Sequence, residues 1–383
     1  EAIPPLKRSL SIKQNTLGPD HPDLTTVLYN LAVLYRRQGK YDEAEPLLKR
    51  VLDIREKQLG PDHPAVARVL NSYAITLFRQ KKYEESKPLY ERSLALKEKT
   101  LGPDHPDVAN SLDNLAIFYA VQREFEKAEP FFERALAIRE KAYKPDHPKV
   151  AASLNNLASL YIDQKKFDEA EPLVIRSLEI KEKILKPNHP DIALGCIALA
   201  KVYKNQKKYT ESEAYYERGL AILGKVWGPD HPELTGHLRG FADLYTIQEQ
   251  YGMAKPLIER SVTIEEKVLK KDDPKRAMTL ILLATINGHL GNNREAELHY
   301  QSAVDIFEKS ETLDNSVVAY SQACYWAVLG NSEKAIQHLK RSFELGFSSP
   351  FFDDPDLRSL KGNPEFEALV NKFEKNKEEK NEK

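Results

Sequence analysis

The feature that most constrains this chain is a joint that recurs every 42 residues. PDHP stands at 19–22, 61–64, 103–106, 145–148 and 229–232, with PNHP at 187–190 and KDDP at 271–274. A fixed period of this size marks a repeat architecture, in which no single unit can bury its apolar face alone. Superposing the seven periods gives columns with a physical meaning. One is proline throughout (Pro22, Pro64, Pro106, Pro148, Pro190, Pro232, Pro274), suited to a first helical position whose N–H would be unsatisfied anyway. Another is alanine throughout (Ala32, Ala74, Ala116, Ala158, Ala200, Ala242, Ala284), where a small side chain lets two helices approach closely. Leu28, Leu31, Ala32 and Tyr35 follow the i, i+3, i+4, i+7 stripe of an amphipathic helix.

A polar turn at Gly39-Lys40 leads into a second helix, predicted from Tyr41 to about Leu59. Ala44, Leu48, Leu52 and Ile54 form its inward side, and the Ile54 column is aliphatic in every period. With Asp42 as N-cap, Pro46 and its counterparts remove only the first internal hydrogen bond. Each period therefore reads as an antiparallel helical hairpin. Stacked hairpins give an all-α fold, an α-solenoid.

The order large apolar, Ala32, Tyr35, Ala44 resembles the tetratricopeptide repeat pattern. The 42-residue period, the LGPDHPDVA joint and the LNNLA and YDEAEPLLKRVLDIREK phrases are similar to the kinesin-light-chain subtype of that family. The resemblance covers residues 1 to about 309 and implies a right-handed superhelix that binds proteins. Within that frame, residues 1–21 are expected to be a partial repeat. Glu1-Ala2-Ile3-Pro4 aligns with Glu43-Ala44-Glu45-Pro46, inside a second helix whose partner would lie upstream. Residues 22–315 hold seven hairpins, and 316–346 a shorter terminal one, with Ala323, Gly330 and Ala335 matching Ala32, Gly39 and Ala44. Residues 347–373 are expected to cap the array, ending in a helix near 364–373. The last ten residues, all charged or Asn, are expected to be disordered.

Several function classes fall away. Lys and Arg number 57 against 58 Asp and Glu, so the basic excess of a bulk nucleic-acid binder is missing. No apolar run approaches the ~18 residues of a membrane span. Two cysteines, Cys196 and Cys324, cannot make a disulfide framework and fit a reducing compartment, so a cytoplasmic location is expected. Successive histidines such as His21, His63 and His105 sit on different hairpins, roughly 10 Å apart, too far to share an ion at about 2 Å bonds. Asp273 replaces the histidine in the seventh period, so a role in shaping the helix entry is expected and no metal site. A glycine-rich phosphate loop, HExxH, GxSxG and CxxC are all absent, so no catalytic residue and no cofactor is expected.

The resemblance places ligand binding on a concave face built by the first helices, in the columns of residues 26, 29, 30, 33, 36 and 37. The packing stripe leaves these positions free. Asn30, Asn71, Asn110, Asn114, Asn155 and Asn156 concentrate there in the first four periods, and an amide can hold a peptide backbone through both donors and an acceptor. In the subtype this chain resembles, the Asn of LNNLA plays that part. Asn30, Asn114 and Asn156 match it, whereas Ser72, Ala198, Gly240 and Leu282 depart. The same columns carry Arg36, Arg37, Arg68, Arg79, Lys201, Lys204 and Arg239 against Asp113, Asp163 and Asp243, an arrangement that steers an acidic ligand. Tyr29, Phe78 and Ile117 could add apolar pockets. The expected function is a non-catalytic scaffold that captures an extended, acidic segment of a partner protein. Two alternatives stay open: an arm of a larger multidomain signalling protein or enzyme, and a homo-oligomer joined through Leu194, Ile197, Ile247, Ile281 and Leu282.

Overall fold

A computed structural model describes residues 2–310, 315–347, 351 and 354–381, with backbone alone for 374–381. Among these residues the chain is all-α, an array of paired helices that divides into two compact units, Glu1–Leu185 and Lys186–Lys383.

In the first unit, α1 (Ile3–Leu17) precedes four hairpins: α2 and α3 (Leu24–Arg37, Tyr41–Leu59), α4 and α5 (Pro64–Arg79, Tyr83–Leu101), α6 and α7 (Pro106–Val121, Phe125–Ala142), and α8 and α9 (Phe167–Ile184 following Pro148–Asp163). Each second helix packs on its own first helix and on the next one, up to α8. The alanine column is 0–1% exposed throughout the chain, from Ala32 to Ala284. Second helices add buried serines that bond first-helix carbonyls. Ser86 Oγ donates to the Ala74 carbonyl at 2.9 Å, Ser93 Oγ to Ala67 at 2.8 Å and Ser177 Oγ to Ala151 at 2.9 Å, so each buried hydroxyl is satisfied. Ala116→Leu is therefore expected to over-pack α6 against its neighbours and lower stability by about 1–3 kcal/mol. An unchanged melting curve would break this account of the packing.

The joint works through its histidine. The imidazole Nδ1 of His63, His105, His147 and His189 accepts from the backbone N–H two residues on, at 3.1 Å in each case, and the following proline takes the first helical position. Asp273 does the same with Oδ1 to the Lys275 N–H at 2.9 Å, which explains why an imidazole is dispensable there. The turn inside each hairpin needs a left-handed residue. Gly39 (φ +72°) and Gly291 (φ +74°) provide it freely, whereas Lys81, Arg123, Lys165, Lys207 and Glu249 adopt φ of +59° to +63° at the equivalent position. One sequence reading needs correction. The second helix starts at Tyr41 with Lys40 as N-cap, so Pro46 lies inside the helix instead of its first turn. Asp42 and Glu43 occupy that first turn, where negative charge meets the helix dipole.

In the second unit the hairpins are α10 and α11 (Pro190–Asn205, Tyr209–Trp227), α12 and α13 (Leu234–Ile247, Tyr251–Val268), α14 and α15 (Pro274–His289, Asn293–Lys309), and the shorter α16 and α17 (Ser316–Val328, Ser332–Glu344). α16 packs directly on α14, and Gly288 permits it: a Cβ there would lie 2.9 Å from Val328 Cγ1. A 3-10 turn, η1 (Pro355–Leu360), then closes over α16 with buried Phe351, Leu357, Leu360 and Phe366. The last helix, α18, runs Pro364–Asn381. Its backbone thus continues eight residues past the end expected from sequence, through a stretch expected to be disordered, because Glu and Lys rank among the better helix formers. Residues 382–383 lie outside the described part.

Candidate functional site

The first-helix side of the first unit gathers cations around Tyr29. Its hydroxyl lies 2.7 Å from Ser72 Oγ, and the Arg68 guanidinium sits over its ring at 5.2 Å. Arg36 Nη1 donates to the Ser72 carbonyl at 3.1 Å, anchoring it between two first helices. Arg37 and Arg79, at the ends of those helices, are exposed. From the second helix of the first hairpin comes Arg55, 9% exposed, whose Nη1 donates to the Ala65 carbonyl at 2.9 Å. Burial, then the neighbouring Arg68, lower its pKa. Burial likewise lowers the pKa of Arg36, and that of Lys97, whose Nζ reaches Ser111 Oγ at 2.8 Å. None of Arg36, Arg37, Arg55, Arg68, Arg79 and Lys97 has an ion-pair partner among the described residues.

Arg55 and Lys97 belong to a column that sequence reasoning passed over: Arg55, Lys97, Arg139, Lys181, then Leu223, Glu265 and Phe307. The repeat pairs each member with the first-helix residue 26 positions earlier, in the Tyr29 column, and two of these pairs are in direct contact. Arg139 Nη2 meets Asp113 Oδ2 at 2.6 Å and Asn110 Oδ1 at 2.8 Å, with Ser153 Oγ bonded to Nη1. Lys181 Nζ meets Asn155 Oδ1 at 3.3 Å. Burial pushes the Asp113 carboxyl up against the pull of Arg139. The signal was legible, a cation every 42 residues on the second helix, but it sat among abundant surface charges.

The predicted groove residues fare unevenly. Asn30 is exposed, and Ile117 is 38% exposed beside the buried first-helix stripe. Asn71 and Asn114 face each other, Nδ2 of Asn114 donating to Oδ1 of Asn71 at 2.9 Å, so part of their capacity links neighbouring hairpins. Asn155 serves Lys181, and Asn156 lies beside Asp113. Phe78 packs into the core with Phe118 and Tyr83.

The second unit is chemically different at the same positions. Lys201 is exposed, but Lys204 pairs with Asp243, and Arg239 Nη1 donates to Thr279 Oγ1 at 3.3 Å. Thr279 in turn donates to Glu265 at 3.0 Å. Leu223 and Phe307 are fully buried. Of the five residues proposed for self-association, Ile197 and Ile281 are core residues at 2% and 1% exposure, Ile281 in one cluster with Phe307. Leu194 and Ile247 remain about two-fifths exposed. Ligand-type atoms of Cys324, Asp354 and Asp356 lie within 4.8 Å of one another. The carboxylates are already engaged: Asp354 accepts from the Tyr320 hydroxyl at 2.5 Å and from the Asp356 N–H at 2.9 Å, and Asp356 lies 2.7 Å from His289 Nε2.

The tetratricopeptide repeat model matches residues 1–57, 23–99, 66–141, 107–183, 150–225 and 233–309. The chain belongs to the tetratricopeptide repeat family. As such it is a scaffold for protein–protein interaction. Among solved structures it is similar to the nearly identical TPR-like repeats of a kinesin light chain assignment in Podosopora anserina. Identity is 28% over 54% of this chain and 98% of that one, with a TM-score of 0.49. BtubC (BKLC) from P. vanneervenii is 24% identical over 59% of this chain and 91% of that one, TM-score 0.51. A signal-transduction ATPase from Pyrococcus horikoshii with a tetratricopeptide repeat sensor shares the fold at 14% identity. That match covers 75% of this chain and 43% of that one, with a TM-score of 0.60. None of the curated proteins matches the sequence. Among the described residues no helix is long and apolar enough to cross a membrane.

Proposed function

We propose that the first unit captures an extended, acidic segment of a partner protein along its first-helix side. The observation that carries this reading is that six cations of the first two hairpins, Arg36, Arg37, Arg55, Arg68, Arg79 and Lys97, have no carboxylate partner among the described residues. Holding a guanidinium such as Arg55 nearly buried beside Arg68 costs free energy in the free protein. A ligand carboxylate offsets that cost with bidentate, charge-assisted hydrogen bonds. Asn30, Asn71 and Asn114 lie on the same first helices as Arg36, Arg68 and Arg79 or on the next one, and their amides can take a peptide backbone without reading its sequence. The reading places recognition in the first unit, since Lys204 and Arg239 of the second are already engaged.

A screen against extended peptides graded in charge, at low and moderate salt, tests this. Acidic peptides are expected to bind and to weaken as salt screens the contacts. Binding that ignores peptide charge, or no binding to any of them, would sink the proposal.

A further inference from the structure

The cation column of the first unit is not chemically uniform, and the difference lies on the opposite helix. The positions paired by the repeat, 26 residues apart, are Tyr29 with Arg55, Asn71 with Lys97, Asp113 with Arg139 and Asn155 with Lys181, and the last two pairs are in direct contact. At the third pair a carboxylate already fills the guanidinium: Asp113 Oδ2 lies 2.6 Å from Arg139 Nη2, with both side chains almost fully buried. We propose that Asp113 sets the far limit of acid recognition, standing at the third hairpin where a ligand carboxylate would otherwise sit. This inference rests on the acidic-segment reading of the same face.

The charge of Asp113 is not needed to build the hairpin. At the next pair an amide does the equivalent job, Asn155 Oδ1 accepting from Lys181 at 3.3 Å. At the preceding pair an amide again occupies the Asp113 position, as Asn71. Arg139 has two further acceptors, Asn110 Oδ1 and Ser153 Oγ, and would stay hydrogen-bonded without the carboxylate. What Asp113 adds is negative charge at one place along an otherwise positive face. A ligand acid arriving there meets a like charge and a guanidinium already taken, a repulsive element of the kind that sets specificity. The cations of the first two pairs have neutral partners only, Arg55 the Ala65 carbonyl and Lys97 Ser111 Oγ and the Asp107 carbonyl, and no carboxylate pairs with them among the described residues. The ligand this favours is acidic across the first two hairpins and neutral or basic at the third.

The test uses the whole chain and labelled peptides with neutral flanks and an Asp/Glu block of increasing length. For the wild type, affinity is expected to rise with block length and then stop rising once the block outruns the second hairpin. Asp113→Asn is expected to remove that limit and bind the longest block about ten-fold tighter, the scale of one added charge-assisted contact. The converse variant, Asn71→Asp, puts a carboxylate at the equivalent position of the second hairpin and is expected to weaken every acidic peptide about ten-fold. It retains an oxygen for the Asn114 amide, so it keeps the question answerable should Asp113→Asn fold poorly. Wild-type binding with no effect from either variant overturns the inference alone. A wild type that binds no acidic peptide overturns the underlying reading instead.

Discussion

Reversing Arg37 and Arg79 to glutamate is expected to weaken acidic-peptide binding roughly 10- to 100-fold at low salt while leaving the melting curve in place. Both side chains are exposed at the ends of first helices, and neither has an ion-pair partner among the described residues, so folding does not depend on them. Each exposed contact with a ligand carboxylate is worth at most about 1 kcal/mol. Reversal both removes that attraction and installs a repulsion of similar size, and 1.4 kcal/mol is a factor of ten. The loss should shrink as salt rises, because exposed charges are the ones that screening reaches. Arg36 and Arg55 would make a less clean experiment. Arg36 ties two first helices through the Ser72 carbonyl, and Arg55 is buried against the Ala65 carbonyl, so their reversal mixes folding with binding. A fall in melting temperature for the Arg37/Arg79 pair would reassign both residues to structure.

The fold was legible because its signals are periodic and redundant. Pro64, Ala74 and the Ile54 column each repeat with the hairpin, and each has one physical job that a single sequence reveals when it appears seven times. The site was legible only by halves. Candidate free positions on the first helix could be found by subtracting the packing stripe, and Arg37 and Arg79 among them are exposed. What could not be read was which side chains would be satisfied by neighbours 26 or 43 residues away. Tyr29 meets Ser72, Asn114 meets Asn71 and Asp113 meets Arg139, all across hairpins, where spacing along one helix gives no information. The same blindness hid Ile197 and Ile281. They occupy the Tyr29 column, but the second-helix positions matched to them hold the buried apolar Leu223 and Phe307 instead of cations, and both isoleucines are core.

That pairing makes the largest stability effect predictable. Arg139→Ala is expected to destabilise the first unit by about 3–5 kcal/mol, since it strands the Asp113 carboxylate in a site that excludes water. The effect comes from the partner left behind. Burial already pushes the Asp113 carboxyl up with Arg139 in place, so removing the guanidinium pushes it further and favours the protonated acid. The sign of the pH dependence follows. An acid whose folded-state pKa lies above its unfolded value favours the folded state at low pH and loses that advantage as pH rises through the folded value. The Arg139→Ala defect should therefore be smallest in mild acid and grow toward neutrality. Adding Asp113→Asn to Arg139→Ala removes the stranded charge and should recover most of the lost stability at neutral pH. A repeat array need not melt as one transition, so the measurement belongs on the first unit: hydrogen exchange of α6 and α7 in both variants, at acid and neutral pH. A double variant as unstable as the single one would show that Arg139 acts by packing and not by holding the Asp113 charge.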